Sequence, residues 1–457
     1  MYHNVKHNSD GRPISSIRTR RVMRRDPAAI EARRNRNVGR ARCIQRRSKM
    51  AMTPRQIEII KSSAGVLSEH GMTVVTRFYC RLFEHHPELR NLFNHANQRS
   101  GGQSEALAHA VWAYASNIDN LAVLAPTVRR ISQKHASLGV QPEHYPIVGK
   151  HLLAAMSETL GDAFDEETRD AWAAAYQELA DVMIGAEREL YDQRATQSGG
   201  WIGWRRFEVM RKVDESEEIS SFYLVPTDGK ELPPFDPGQF VSIKRYVGDL
   251  SLEQPRQYSL SDAPHGKWLR ISVKREAADN GDITKPAGQI SNLLHDELHV
   301  GGHVEVSAPY GDFVLDRTKR TPVVLVSGGV GITPMISMLA TIVTDSATRR
   351  VSFLHACRNR RVHAFCEWLD DVVADHPNAT KVTFYEEVDP NDVPDRDFDF
   401  TGRLDFAKIR EAVLLRDADY YVCGPMPFMR AQVDALKALH IDISRIHTEI
   451  FGVGDLR

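Results

Sequence analysis

The spacing of apolar residues changes twice along this chain, and no fold with a single core accommodates all three textures. From Thr53 to about Asp192 the pattern is helical, as in Val75, Phe78, Tyr79, Leu82 and Phe83 at i, i+3, i+4, i+7 and i+8. From about Phe207 to Asp316 it breaks into short alternating runs such as Phe240–Ile243 and Trp268–Val273, separated by Gly, Pro and Asp clusters, which predicts a small antiparallel barrel. From Thr321 onward, strand-like Val323–Val326, Val351–His355 and Tyr420–Cys423 alternate with helical Met335–Ile342 and Phe365–Val373. That alternation predicts an α/β domain with a parallel sheet and crossover helices. At 457 residues the length also suggests about three domains, and there is no internal repeat.

The all-α part is expected to start near Met52. Thr53-Pro54-Arg55-Gln56 supplies an N-cap, a proline suited to the first helical position and the glutamine of a capping box. The expected organisation is a basic extension over 1–51, a helical domain over 52–192, a linker over 193–203 containing Ser198-Gly199-Gly200, a barrel over 204–317 and the α/β domain over 318–457. Residues 1–50 hold fifteen Lys and Arg against Asp10, Asp26 and Glu31, so a segment of about +12 hides inside a net charge of −1. It reads as a dispensable extension, with a transit peptide or polyanion-binding arm as alternatives; no nucleic acid is expected for the folded part. With 42% apolar and 26% charged residues and no apolar run near the roughly 18 needed to span a bilayer, no transmembrane segment is expected. Five cysteines without CxxC spacing argue against a disulfide scaffold and an iron–sulfur cluster, and fit a reducing cytoplasm. A monomer is expected.

Three constellations carry chemistry. Strand Val323–Val326 leads into Gly328-Gly329-Val330-Gly331-Ile332-Thr333-Pro334, where glycines permit close backbone approach and a helix expected to open at Pro334 offers free N–H groups to a pyrophosphate. Pro334 stands where the usual fingerprint has its third glycine, so this motif alone is weak. Cys423-Gly424-Pro425, at the end of another strand, adds specificity. In Arg256-Gln257-Tyr258-Ser259, strand alternation puts Arg256 and Tyr258 on one side and Gln257 and Ser259 on the other. Arg can clamp a phosphate, Tyr can pack on a ring and Ser can donate to a ring nitrogen. Gly288-Gln289-Ile290-Ser291, with Ser291 as N-cap, is a second phosphate cradle. The third constellation is His135, in apolar phase with Val128, Ile131 and Leu138 on one helix. A lone histidine there is more often a hydrogen-bonded core residue than a ligand. Tyr79 on the apolar face of an earlier helix, Gln103 and Leu107 four residues apart, and Phe93 beyond Pro87 shift the balance toward a ligand pocket.

The Arg-x-Tyr-Ser, Gly-Gly-x-Gly-x-x-Pro and Cys-Gly-Pro motifs, in this order, resemble the ferredoxin–NADP reductase superfamily. Phe78-Tyr79, Pro87-Glu88-Leu89, Phe93-Asn94, Asn97-Gln98-Arg99, Tyr114 to Ile118 and Gln133-Lys134-His135 resemble the globin domain of bacterial flavohaemoglobins. The resemblance spans essentially 52–457. It implies haem b with His135 as proximal iron ligand, Tyr145 and Glu187 as its hydrogen-bonding partners, Tyr79 and Gln103 over a bound gas, and Phe93 and Leu107 in the haem pocket. It implies FAD at Phe240, Arg256–Ser259 and Gly288–Ser291 with Glu449 and Phe451 nearby, and NADH or NADPH at Gly328–Pro334 and Cys423–Pro425. The implied activity is nitric oxide dioxygenation, converting NO and O2 to nitrate with electrons passed from NAD(P)H through FAD to haem. The sequence departs from the family at Phe240, where tyrosine is common, and at Ile450, where the family has cysteine. The competing readings are a sensing globin kept ferrous by its reductase, and a reductase for a separate acceptor. Arg358, Arg360 and Arg361 leave NADH and NADPH both open.

Overall fold

The computed structural model describes residues 52–452, except Ser100, 279–285, 346–347, 410–413 and Arg416. The basic extension over 1–51 lies outside the described residues.

The first helix, Pro54–His85, starts where its cap dictates: Gln56 N donates to Thr53 Oγ1 at 3.2 Å and Thr53 N to Gln56 Oε1 at 2.9 Å. Helices His95–Arg99, Gly102–Ser116, Ala125–Leu138, His144–Leu160 and Glu166–Thr196 follow. Their shared core joins Ile60, Val74, Phe78 and Leu82 to Tyr114, Met156 and Trp172. The last helix continues four residues into the segment expected as linker. Gln193 to Thr196 offers nothing that breaks a helix, and Thr196 Oγ1 returns a bond to Asp192 O at 2.8 Å. The chain turns instead at Gly199 and Gly200, where a Cβ would lie 2.8 and 2.0 Å from backbone carbonyl oxygens.

Strands β1 (Trp204–Asp214), β2 (Ile219–Pro226), β3 (Phe240–Val247), β4 (Leu252–Ser259), β5 (Leu269–Lys274) and β6 (His303–Ser307) form one antiparallel sheet in the order β4-β3-β6-β1-β2-β5. A bridge between Leu260 and Ile271 joins its two edges, so the sheet curls into a barrel. Inward-facing Phe207, Val209, Phe222, Val241, Ile243, Ile271 and Val306 fill it, with Leu294 of the helix Gln289–Glu297 as a plug. This meets the alternating pattern of a sheet buried on one face.

The remaining strands are β7 (Val323–Gly328), β8 (Val351–Cys357), β9 (Ala379–Tyr385), β10 (Phe400–Thr401), β11 (Asp419–Cys423) and β12 (Ile446–Glu449). They pair in parallel in the order β10-β9-β8-β7-β11-β12. Helices Ile332–Asp345, Cys366–Asp375 and Met426–Ala438 form the crossovers. Buried on both faces, β7 reads Val-Val-Leu-Val without alternation. The chain order reverses between β7 and β11, the switch point at which such sheets open a crevice beyond their carboxyl ends.

The helical domain and the barrel are bonded to each other directly. Ser242 Oγ of β3 donates to Ser137 Oγ at 2.9 Å, Gly311 N to Gln133 Oε1 at 2.9 Å and His95 N to Gln254 Oε1 at 3.0 Å. The helix that bears His135 is therefore pinned to the strand beside β4.

Candidate active site

The His135 helix carries a short hydrogen-bond network centred on the half-buried His135 and the buried Glu187. Nδ1 of His135 lies 2.8 Å from Glu187 Oε1 and 3.3 Å from the Tyr145 hydroxyl, which itself donates to Glu187 Oε1 at 2.6 Å. The Glu187 side chain is 3% exposed, and burial beside its charge pushes the Tyr145 phenol well above its ordinary pKa. The phenol is thus a donor, and the carboxylate accepts from both neighbours. A carboxylate at Nδ1 fixes the proton there and leaves Nε2 with its lone pair, the arrangement of a metal-ligating imidazole. Glu187 comes from the last long helix, 52 residues away, and Tyr145 from the one between.

Tyr79 belongs to a second set. It is buried, and its ring lies 5.7 Å from Phe83 and 5.7 Å, edge-on, from Phe93. Burial raises its phenol pKa against a hydrogen bond from the Gln103 side chain. Leu107 packs against the same cluster, one turn from Gln103. Gln103 Oε1 is buried without a partner, an acceptor that a bound ligand or water must satisfy. No hydrogen bond or ring contact joins the Tyr79 set to the His135 set among the described residues. The Nε2 lone pair left by the Glu187 contact at Nδ1 is the donor that a haem iron requires. The cleft of about 470 Å³ between the His135 helix and Glu166–Thr196, lined by Val128, Ser132, Leu179 and Val182, touches none of these residues.

On the barrel, Phe240, Arg256, Gln257, Tyr258 and Ser259 sit on paired β3 and β4, with Phe240 opposite Ser259 and Val241 opposite Tyr258. Gln257 Nε2 donates to Ser242 Oγ at 3.3 Å, which continues to Ser137 on the His135 helix. The helix expected to begin at Ser291 begins at Gln289 instead, capped by Gly288. Ser291 is inside its first turn: its Oγ donates to Gly288 O at 3.2 Å and accepts from Glu276 N at 3.3 Å. Ile290 is in the core, and a Cβ on Gly288 would meet Ser291 Oγ at 2.6 Å. The segment expected as a phosphate cradle thus ends in a helix N-terminus capped by Gly288 rather than by Ser291.

At the switch point the glycine loop and the Cys423-Gly424-Pro425 turn press together. A Cβ on Gly331 would lie 2.3 Å from Cys423 O, and one on Gly424 2.8 Å from the Phe428 ring. Gly329 has φ +52°, the left-handed region that glycine adopts freely. The helix opens at Ile332, two residues before the expected Pro334. Thr333 Oγ1 bonds Val330 O at 3.1 Å. Proline in the third position costs no bond, because the first turn's N–H groups lack helical partners anyway. Cys423 is fully buried, and burial raises its thiol pKa well above ordinary.

A charged cluster links these parts, and sequence reasoning missed most of it. Glu449, beside Cys423 across β11 and β12, has its carboxyl pushed up to about 8 by burial and by Asp312, against the pull of Arg130 and Lys134. Lys134, next to His135, is lowered by burial and feels Glu449, Arg130 and Arg256. Its position next to the histidine was the only sequence signal for it. Phe451 is 44% exposed.

A Globin model matches residues 76–183 and an Oxidoreductase NAD-binding domain model matches 325–434. The chain is 52% identical over 404 residues to a flavohemoprotein of Bordetella parapertussis, covering 88% of this chain and 99% of that one. The chain belongs to the flavohemoprotein family. A flavohemoprotein of Rhizobium meliloti is 49% identical over 401 residues, covering 88% of this chain and 98% of that one. The solved flavohemoglobin of Malassezia yamatoensis, with bound FAD and heme, superposes with a TM-score of 0.76 at 26% identity over 88% of this chain and 99% of that one. This flavohemoprotein is thus a helical globin domain, an antiparallel FAD-binding barrel and a parallel-sheet NAD-binding domain in one chain, and an oxidoreductase.

Proposed function

We propose that this flavohemoprotein is a nitric oxide dioxygenase that converts NO and O2 to nitrate with electrons from NAD(P)H. The observation that carries the reading is the buried Tyr79–Gln103 pair in the same domain as the Glu187-bound His135. Each NO and O2 need one electron to become one nitrate, while a hydride brings two, so one nicotinamide serves two turnovers. Bound FAD supplies the two-to-one electron conversion, and bound haem supplies the gas-binding iron.

The chain's residues do the rest. Glu187 and Tyr145 hold the His135 proton at Nδ1, so that Nε2 serves as the iron ligand and gains basicity. Tyr79 and Gln103, with Phe93 and Leu107 excluding water, stabilise charge developing on a bound gas by hydrogen bonding. With FAD bound, Arg256 would hold its phosphates, Gly288–Ser291 would offer them a helix N-terminus, and Phe240, Tyr258, Ser259, Glu449 and Phe451 would serve its ring. Gly328–Pro334 and Cys423–Pro425 receive the nicotinamide dinucleotide at the switch point. Ser137, Gln133, Ser242 and Gln257 keep the haem and flavin seats in fixed register. NO, O2 and NAD(P)H are then the small-molecule partners. No helix among the described residues is long and apolar enough to cross a membrane.

An NO electrode tests this. Haem- and FAD-loaded protein should remove NO only when NADH and O2 are both present, and His135→Ala should lose both the Soret band and the activity. Tight O2 binding without NO loss would make the protein a sensor instead.

A further inference from the structure

We propose that the rim beyond β8 selects an unphosphorylated adenosine ribose over a 2′-phosphorylated one, because carboxylates of the β1–β2 turn and of the 389–397 segment already neutralise the arginines that follow the strand. The inference rests on the parallel sheet as the seat of the nicotinamide dinucleotide and is independent of the gas chemistry.

In a doubly wound sheet the adenosine ribose is met beyond the strand next to the glycine-loop strand, where an acid or an arginine decides between hydroxyl and phosphate. Here that strand is β8, paired to β7 from Val323–Val351 to Gly328–Ala356. Arg358, Arg360 and Arg361 follow within four residues, which by sequence invites a phosphate. Each is engaged. Arg358 pairs with Glu218, Arg360 with Asp397 at 2.9 Å, and Arg361 with Glu217 and Asp389 at 3.9 Å each. The turn carrying Glu217 is itself docked on this rim, since Glu217 N donates to Arg361 O at 3.0 Å. Arg396 shares Asp397 at 2.8 Å. Four carboxylates thus meet four guanidinium groups, and a phosphate carrying nearly two negative charges would arrive at a surface with no net charge to attract it.

Asn359 provides a second, independent observation. It is 7% exposed, and its Oδ1 is buried with no partner. Its Nδ2 reaches Glu387 Oε2 at 3.5 Å. A buried acceptor without a donor is costly unless a ligand supplies one. A ribose 2′-hydroxyl carries such a proton, whereas a phosphate near neutral pH presents almost only acceptors.

The test is calorimetric titration of the full-length, haem- and FAD-loaded protein with ADP-ribose and with 2′-phospho-ADP-ribose. ADP-ribose should bind at least about tenfold tighter, and Glu217→Gln/Glu218→Gln should strengthen the 2′-phospho form by about tenfold by freeing charged donors, with ADP-ribose affinity unchanged. Unaltered Soret and flavin spectra establish that the variant is folded. Equal affinities in the parent protein would overturn the selectivity while leaving the dinucleotide seat in place. A parent preference that the double variant retains would overturn the role given to the two glutamates. Binding of neither ligand would overturn the dinucleotide placement along with the proposal.

Discussion

Replacing Glu187 with glutamine keeps the shape of the side chain and removes its charge. The carboxylate accepts two short hydrogen bonds, 2.8 Å from His135 Nδ1 and 2.6 Å from the Tyr145 hydroxyl, at a site 3% exposed. A hydrogen bond to a charged group is worth about 1.5–3 kcal/mol against about 0.5–1.5 for a neutral one, so exchanging two of them costs about 2–3 kcal/mol. Part of that loss appears as weaker iron ligation, because partners behind a ligating histidine typically govern about 10–100-fold in metal affinity, or about 1.4–2.8 kcal/mol. The assay is haem transfer to excess apomyoglobin, followed in the Soret band, with far-ultraviolet circular dichroism as the check on folding. Glu187→Gln should lose haem about 10–100 times faster than the parent. Tyr145→Phe, which keeps the histidine–carboxylate bond and loses one donor, should accelerate loss by less than about tenfold. Parental transfer rates in Glu187→Gln would refute the reasoning, since they would mean that the carboxylate does not support the iron ligand.

Tyr79→Phe removes one donor from the buried pair and should speed O2 dissociation about tenfold; an unchanged off-rate in flash photolysis takes Tyr79 out of the gas site. Because burial holds the Tyr79 phenol above its ordinary pKa, it stays a donor in mild alkali, and the parent's O2 off-rate should be flat from pH 7 to 10. Gly331→Ala puts a methyl group 2.3 Å from the Cys423 carbonyl oxygen and should weaken NADH binding more than about tenfold with the Soret band unaltered; parental affinity would show that the two loops need not meet so closely. Glu449 has a folded-state pKa raised from 4.5 to about 8, so the protonated form favours the folded state. Its contribution is full below about 4.5 and is lost as pH rises through 8. Between pH 5 and 8 the parent's Tm should fall more steeply than that of Glu449→Gln, and equal slopes would exclude the carboxyl as the source.

What could be read from sequence was whatever lies within one element or one motif. The Thr53–Gln56 cap and the apolar phase of Val75 to Phe83 depend only on near neighbours, and the helix Pro54–His85 follows from them. The two strand-end motifs could be placed at a switch point because alternation of strands and helices constrains topology. Interactions between distant segments left no such trace. Nothing in Glu217 and Glu218 announces that their turn docks on the distant Arg358 and Arg361, so from sequence the three arginines left a phosphate site and a solvated face equally open. Ser137 and Ser242 look like ordinary polar residues until the fold brings them within 2.9 Å. The misplaced Ser291 cap has a local cause. Gly288 O is taken by Asn292 Nδ2 at 2.6 Å and by Ser291 Oγ at 3.2 Å, which lets the helix begin directly after Pro286-Ala287-Gly288 rather than at the serine. The partnership of His135 with Tyr145 and Glu187 came from family resemblance, because spacings of 10 and 52 residues carry no geometry of their own.

The most direct test of the central claim is a product balance: nitrate formed, NO lost and NADH oxidised, measured together on haem- and FAD-loaded protein in oxygenated buffer. The dioxygenase account predicts one nitrate per NO and one NADH per two NO. NO loss that yields nitrous oxide or nitrite, or NADH oxidation indifferent to NO, would contradict it.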